Sequence, residues 1–156
     1  MPHIHEKIDF TVEVFIVFEN RVLLRKHDKY GIWLSTGGHI ELNEDPNQAA
    51  IREVKEEVGL DIVLDRTLIP FEKELPDYKE LIPPKFLNRH LIKDEHEHVT
   101  LTYFATTETD ILSPSEEEKS KELKWFTKED LDSTSYDLKD SVRFYAKKAL
   151  EELSWP

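Results

Sequence analysis

The stretch that decides the fold runs from residue 38 to residue 60 and reads GHIELNEDPNQAAIREVKEEVGL. Asp45 and Pro46 predict a helix start within it, because aspartate caps the first backbone N–H groups and proline suits the first helical position. Gln48 lies where a capping box places its second acceptor. Gly59 is typical of the glycine that follows the last turn of a helix. The sequence therefore predicts one helix between these signals.

Three glutamates of the predicted helix, Glu53, Glu56 and Glu57, share one face of it. An α-helix advances by about 100° per residue, so Glu57 lies about 40° to one side of Glu53 and Glu56 about 60° to the other. Like charges one turn apart cost roughly 0.2–0.5 kcal/mol. Divalent cations offset this repulsion, since Mg²⁺ prefers oxygen ligands and shares phosphate oxygens with its substrate. A solvated charged surface is the ordinary interpretation of a Glu-rich helix, and the acids alone do not exclude it.

Four further positions accompany the acids, and they are Gly38, Glu44, Arg52 and Gly59. Together with the acids they form the array G-x5-E-x7-R-E-U-x-E-E-x-G-U, in which U is aliphatic. This array resembles the Nudix box, the signature of hydrolases that cut a diphosphate linked to another moiety. A solvated surface requires none of the four positions, which favours a functional site over plain surface charge.

The resemblance implies an α+β fold, the Nudix-type α/β/α sandwich with a mixed central sheet. The hydrophobic pattern outside the array agrees with this fold. The predicted elements are strands over 10–18, 21–25, 61–71, 99–106 and 122–127, an extended segment over 32–40, a helical turn over 128–131 and a helix over 139–153. We expect a single Nudix hydrolase domain over 1–156. The proline-rich stretch 70–97 is predicted to be an inserted substrate loop.

The resemblance assigns a role to individual residues of the array. It implies that Glu53, Glu56 and Glu57 ligate Mg²⁺, for which Mn²⁺ can substitute, together with the backbone carbonyl of Gly38. Arg52 would hold a ligand glutamate by an ion pair, which orients that ligand. The implied reaction is the attack of water on phosphorus, promoted by metal ions that lower the pKa of a bound water.

The general base of that reaction is left open by the sequence. In some relatives a glutamate of the box serves, and in others a glutamate from a loop outside it. Glu118, the last residue of an acidic run, is the candidate for the second arrangement, although such a run is more often plain surface charge. The catalytic residues predicted on this basis are Arg52, Glu53, Glu56, Glu57 and Glu118.

Cationic side chains near the array are candidates for contacts with substrate phosphates. His39 follows the two glycines, and Arg25 ends a predicted strand. Lys85, Arg89 and His90 form a cationic group within the predicted insertion. Packing or plain solubility would account for the same residues, and the sequence does not decide between these alternatives.

Composition limits the partners that such a protein can have. The formal net charge of −12 repels nucleic-acid backbones and anionic membranes. A small-molecule nucleotide is therefore the expected partner, with no nucleic acid and no membrane. The absence of cysteine excludes disulfides, thiol catalysis and thiolate metal sites. No signal peptide or transmembrane stretch is visible in the sequence, so we expect a cytoplasmic location, and a homodimer is left open.

Two functions of different class are consistent with the array. The first is an Mg²⁺-dependent hydrolase that cleaves the diphosphate linkage of a nucleoside diphosphate joined to a further group. Its substrate is left open among ADP-ribose, nucleoside or deoxynucleoside triphosphates and dinucleoside polyphosphates, because Pro76 and Tyr78 resemble the markers of different subgroups. The second is a non-catalytic, nucleotide-binding or regulatory Nudix domain, a class that usually lacks the box carboxylates found here.

Overall fold

The computed structural model describes residues 4–118 and 121–154 of the chain. Within these residues the strands are β1 (Ile8–Phe18), β2 (Arg21–Lys26), β3 (Trp33–Leu34), β4 (Thr36–His39), β5 (Ile62–Leu64), β6 (Glu74–Leu75), β7 (Tyr78–Lys79), β8 (Phe86–Lys93), β9 (His96–Thr107) and β10 (Leu123–Phe126). The helices are α1 (Pro46–Val58), α2 (Lys128–Asp132) and α3 (Asp140–Leu153), and a short 3₁₀ helix covers Glu116–Glu118. Within the same part of the chain, no helix has both the length and the apolar character that a membrane crossing requires.

Strand β1 is the centre of a mixed, eight-stranded sheet with the order β10-β2-β1-β9-β5, to which β3, β4 and β8 add at the sides. On one side, residues 8–17 of β1 pair in parallel with β9. On the other side β1 changes partner along its length. Residues 11–14 pair with β4, whereas Val17 and Phe18 pair with β2, both antiparallel. The strand thus holds two different neighbours along one edge.

Side chains alternate along β1, so its two faces pack against different helices. Val12, Val14 and Ile16 are buried in one apolar cluster with residues of α1. Phe15 and Val17 are buried in a second cluster with residues of α3. Each fully buried side chain of this kind contributes about 1.5–3 kcal/mol relative to exposure. The predicted α+β sandwich with a mixed sheet is confirmed.

The face of β1 that α3 covers at Phe15 is polar nearer the start of the strand. Asp9, Thr11 and Glu13 occupy the alternate positions before Phe15. Their partners on β9 are also polar, and they are His98, Thr100 and Thr102. We call these six side chains the polar strip. At this end of the sheet, the polar strip occupies the face that the second apolar cluster covers elsewhere.

Helix α1 begins and ends where the sequence predicts. Asp45 Oδ1 accepts a hydrogen bond from the backbone N–H of Gln48, and Gln48 Oε1 accepts one from the N–H of Asp45, both at 2.9 Å. Gly59 has a φ of 74°, and its N–H donates to the carbonyl of Lys55 at 3.0 Å. A Cβ atom at Gly59 would lie 2.1 Å from the carbonyl oxygen of Ser113. The position therefore requires glycine for both its conformation and its space.

Two predicted segments differ from the structure. The strand predicted over 61–71 is limited to β5. The segment 70–97, predicted to be a loop, contains the hairpin of β6 and β7 and also strand β8, which pairs antiparallel with β9. Asp94 and Glu95 join β8 to β9 with φ angles of 46° and 67°, the left-handed conformation that tight hairpin turns require. Because neither residue is glycine or asparagine, the sequence carried only a weak hairpin signal, and whether this segment contacts substrate stays a prediction.

We expect Gly59→Ala to destabilise the fold more than Gly31→Ala, its matched control. Both glycines have a positive φ, which costs alanine about 1–2 kcal/mol. A Cβ atom at Gly31 meets nothing closer than Lys26 Cε at 3.8 Å, whereas at Gly59 it meets the backbone of Ser113. Denaturant unfolding should show an additional loss of about 1–3 kcal/mol for Gly59→Ala. Equal losses for the two variants would show that the Ser113 segment moves away freely.

Candidate active site

A cleft of about 580 Å³ opens along the polar strip. Its lining residues with polar or charged side chains are Thr11, Glu13, Arg25, His27, Lys29, Tyr30, Ser35, His39, His90, Lys93, His98, Thr100 and Lys139. Gly37 and Gly38 also line it, so the main chain of β4 faces the cleft. A second cavity of equal volume borders β5 and the segment that follows it, and it contains none of the acids of the array.

Two of the three predicted metal-binding acids are buried, and one of them, Glu53, lies against the double glycine. Glu53 and Glu57 are 4% and 8% exposed, whereas Glu56 is exposed. A Cβ atom at Gly38 would lie 2.3 Å from Glu53 Oε1, so a larger residue at this position would collide with the carboxylate. At Gly37 the same atom would lie 2.1 Å from a backbone carbonyl oxygen of β1. The double glycine therefore lets β4 lie close to both β1 and α1.

Arg52 connects the acids of α1 with the loop before the helix. Its Nη1 donates to Glu53 Oε1 at 3.1 Å and to Glu56 Oε2 at 3.2 Å. Its Nη2 donates to Glu44 Oε1 at 2.6 Å and to the carbonyl of His39 at 3.0 Å. These hydrogen bonds hold the pKa of Glu44 below its ordinary value. The contact between Arg52 and a predicted ligand glutamate, which the resemblance implied, is present.

Glu57 faces Arg25 of β2. Arg25 Nε lies 3.0 Å from Glu57 Oε2, close enough for an ion pair, although the N–H is not aligned as a hydrogen bond. Burial raises the pKa of Glu57 to about 7, against the lowering effect of Arg25. The negative charges of Glu53 and Glu118 contribute to the same increase in the pKa. A cation near this carboxyl would stabilise its charged form.

The donor set of this region fits a hard divalent cation. Mg²⁺ takes carboxylate and carbonyl oxygens, which Glu53, Glu57 and the main chain at Gly38 supply. No side chain separates Gly38 from the Glu53 carboxylate. Glu56 is exposed and drawn towards Arg52, which places it at the rim of the acidic group. We conclude that these residues could hold Mg²⁺ or Mn²⁺.

Glu118, the candidate general base, lies in the 3₁₀ helix beside α1. The preceding Ser115 anchors this segment, since its backbone N–H donates to the carbonyl of Glu56 at 3.1 Å. The Glu118 carboxylate pairs with Lys121 Nζ at 2.7 Å. Its charge contributes to the raised pKa of Glu57. The structure therefore brings Glu118 towards the buried acids, and its role as a base stays a prediction.

Three of the predicted substrate contacts, Arg25, His39 and His90, line the cleft. Arg25 reaches it while paired with Glu57. His90 lies opposite His98 in the pairing of β8 with β9, so its ring extends the polar strip. Burial, together with the positive charge of a nearby lysine, lowers the pKa of His90. These three residues lie at the cleft, and their contact with substrate stays a prediction.

The structure does not bring Lys85 and Arg89 to the cleft, and we correct that prediction. The Lys85 side chain is only 7% exposed. Its ammonium group contacts three oxygens, from Asp65, Thr67 and Glu152. Arg89 lies on the face of β8 opposite to that of His90 and pairs with Glu97 at 3.1 Å. Adjacent side chains of a strand point to opposite faces, so β8 directs His90 to the cleft and Arg89 away from it, an alternation that a loop does not impose.

Glu13 is a cleft residue that the sequence analysis did not identify. Ser35 Oγ donates to Glu13 Oε2 at 2.8 Å, and Thr102 Oγ1 donates to Glu13 Oε1 at 2.6 Å. Burial raises the pKa of Glu13 above its ordinary value of 4.5, and the two hydrogen bonds only partly counteract it. The available signal was the polar residue at every second position of an otherwise apolar strand.

Comparison with known proteins identifies the family. The NUDIX domain model matches residues 9–151 of the chain. A Nudix-family hydrolase of Clostridium perfringens is 36% identical, and its crystal structure superposes with a TM-score of 0.81, covering 94% of this chain and 98% of that one. The chain therefore belongs to the Nudix family.

The similar proteins include several with named activities. The 8-oxo-dGTP diphosphatase of Proteus vulgaris is 32% identical over 78 residues, which are 50% of this chain and 53% of that protein. The dihydroneopterin triphosphate diphosphatase of Escherichia coli is 38% identical over 68 residues, which are 42% of this chain and 45% of that protein. The matched regions thus span about half the length of these relatives.

We predict that Glu13→Gln stabilises the protein at neutral pH. The folded chain binds the Glu13 proton more tightly than the unfolded chain, so stability falls as pH rises from the unfolded pKa through the folded pKa. Glutamine removes this loss, because the hydroxyls of Ser35 and Thr102 can reorient towards its amide. The melting temperature of the variant relative to wild type should be higher at neutral pH than below pH 4.5.

The exposed Glu151→Gln is the matched control for this measurement, because its side chain is 68% exposed on α3. Its melting temperature should follow that of wild type at both pH values. A Glu13→Gln difference that does not change with pH would show that Glu13 titrates alike in the folded and unfolded chains.

Proposed function

We propose that this protein is a divalent-metal-dependent hydrolase that cleaves the diphosphate linkage of a nucleoside diphosphate derivative. The observation that carries the proposal is the pair of buried carboxylates of α1, Glu53 and Glu57, with Glu53 packed against Gly38, which lines the cleft. Mg²⁺ is the proposed ion and Mn²⁺ its substitute, since both favour carboxylate, carbonyl and water ligands. The Proteus vulgaris and Escherichia coli relatives are both named as diphosphatases, which supports the same class of reaction here.

The chain's own residues have distinct tasks in the proposed reaction. A bound divalent cation supplies a lower pKa for a water ligand and stabilises charge on the phosphate oxygens. Glu53 and Glu57 hold that cation, with Glu56 at the rim. Arg52 orients two of these acids through its Nη1. Arg52 also donates to Glu44 in the loop before α1. Because of this second contact, we expect the ligands to keep their positions when substrate binds.

A carboxylate completes the proposed chemistry by accepting a proton. Glu118 or a box glutamate takes this proton from the attacking water. The water oxygen then forms a bond to phosphorus while the bond from phosphorus to the bridging oxygen breaks. The electron pair of the broken bond leaves with the departing phosphate group. Both candidates carry an ion pair, Glu53 with Arg52 and Glu118 with Lys121, so these contacts do not select between them.

Among the substrate classes that the sequence leaves open, we favour a nucleoside triphosphate or a close analogue. The names of the two relatives specify 8-oxo-dGTP and dihydroneopterin triphosphate. Lys29 and Lys139 supply cations to the cleft lining. Tyr30 is exposed, and its ring stacks on His27 with the centroids 5.1 Å apart, which offers a flat aromatic surface for a base.

The charge distribution supports a small free nucleotide as the partner. The chain carries a formal net charge of −12, which disfavours nucleic acid and anionic membranes. The cations that line the cleft are Arg25, Lys29, Lys93 and Lys139, and they contrast with this acidic background. A small polyanion can enter the cleft and reach them without covering the acidic surface.

A substrate panel tests the proposal directly. The protein is assayed with Mg²⁺ and then Mn²⁺ on nucleoside triphosphates, 8-oxo-dGTP, ADP-ribose and a dinucleoside polyphosphate, and the products are resolved by chromatography. We expect the highest kcat/KM for a triphosphate and no turnover with a chelator. Saturable nucleotide binding without turnover of any substrate would contradict the proposal and favour a non-catalytic binding domain.

Glu57→Gln should lower kcat on the best substrate by roughly 10²-fold or more, because it removes a charged group at the centre of the site. The control is Glu151→Gln, which makes the same change on the exposed surface of α3 and should leave kcat unchanged. Circular dichroism melting verifies that Glu57→Gln folds. An unchanged rate for Glu57→Gln at saturating Mg²⁺ would remove the acidic group from the mechanism.

A further inference from the structure

We propose that Asp9, His39 and His98 form a second metal site, suited to a borderline transition-metal ion such as Zn²⁺ and separate from the acids of α1. One ligand atom of each residue lies within 4.8 Å of those of the other two. Zn²⁺ commonly takes imidazole nitrogen and carboxylate oxygen together, whereas Mg²⁺ prefers oxygen ligands alone. The donor chemistry therefore separates this site from that of Glu53 and Glu57.

The register of three strands brings these side chains together. Asp9 lies opposite His98 in the parallel pairing of β1 with β9, so the two side chains project from the same face. His39 of β4 pairs with Thr11 of β1, which is two residues after Asp9, so His39 projects from the same face. The rings of His39 and His98 meet edge to face with their centroids 4.9 Å apart. Backbone pairing thus holds the three ligands in place before any ion binds.

The carboxylate of Asp9 is fixed inside this cluster. Asp9 is 1% exposed. Its Oδ1 accepts from the backbone N–H of His5 at 2.7 Å, and its Oδ2 accepts from that of Ile4 at 3.2 Å. Oδ2 lies 3.3 Å from His39 Nε2. Neighbouring ligand atoms of a tetrahedral site with bonds of about 2.0–2.1 Å are separated by about 3.3–3.4 Å, so this contact already has the required length.

His96 brings a third imidazole to the same carboxylate. Its Nδ1 lies 2.9 Å from the carbonyl oxygen of Glu6. Its Nε2 lies 3.3 Å from Asp9 Oδ2, the same distance as His39 Nε2. Imidazole nitrogens therefore lie close to one buried carboxylate oxygen, which is a set of ligand atoms that suits a borderline metal ion.

A single ion can be shared by the three proposed ligands. The ring centroids of His39 and His98 lie 4.9 Å apart, and Asp9 Oδ2 lies 3.3 Å from His39 Nε2. One ion bound by Asp9, His39 and His98 would link β1, β4 and β9 beside the cleft.

A metal titration tests the proposal without relying on activity. Metal-free protein is titrated with Co²⁺ in excess Mg²⁺, which saturates sites made of oxygen alone, and the visible absorption and the metal bound per chain are measured. We expect one equivalent of Co²⁺ with the absorption of a nitrogen-ligated tetrahedral ion, displaced by Zn²⁺. Zn²⁺ should also raise the melting temperature, because it binds the folded chain.

Variants assign the bound ion to the cluster. His98→Ala should weaken Co²⁺ binding by at least about tenfold, and Asp9→Asn is a second variant in case the first does not fold. His27→Ala, a matched histidine change outside the cluster, and Glu57→Gln should bind as wild type does. The proposal is overturned if wild type binds no stoichiometric Co²⁺, if His98→Ala and Asp9→Asn bind it unchanged, or if Glu57→Gln abolishes it.

Discussion

The close approach of the Glu53 carboxylate to the main chain of Gly38 is the constraint on which the rest of the structure depends. It sets how near α1 lies to β4, because any side chain at residue 38 would occupy the space of the carboxylate. Arg52 strengthens the same contact between α1 and β4, since it donates both to Glu53 and to the carbonyl of His39. The helix, the glycine strand and the loop between them are therefore held by one local set of contacts.

The buried carboxyls of this site, taken by themselves, lower the free energy of unfolding. Burial raises the pKa of Glu53 and that of Glu57 above the ordinary carboxyl value, which shows that their charged forms are disfavoured. Arg25 and Arg52 offset part of this effect. The two apolar clusters on either side of the sheet supply the remaining stabilisation. Strongly perturbed carboxyls at a cleft are typical of functional sites.

The sequence predicts well those features that depend on neighbouring residues. Both ends of α1 follow from Asp45, Gln48 and Gly59, whose signals act within one turn of helix. Features that depend on distant pairing were not predictable in the same way. Glu13 meets Thr102, 89 residues away, and Lys85 meets Glu152, 67 residues away. The polar alternation along β1 marks Glu13 but not its partner, and no local pattern marks the burial of Lys85.

The exchange of neighbours along β1 has a consequence for how this architecture can diversify. Backbone pairing sets the neighbours of β1, and the cleft beside the polar strip is lined by residues of several strands and of α3. Positions 9, 11 and 13 point away from the apolar cluster on α1. Substitutions at these three positions can therefore adapt the cleft to a different ligand, while α1 and Gly38 stay unchanged. Recognition and chemistry can evolve separately on one scaffold.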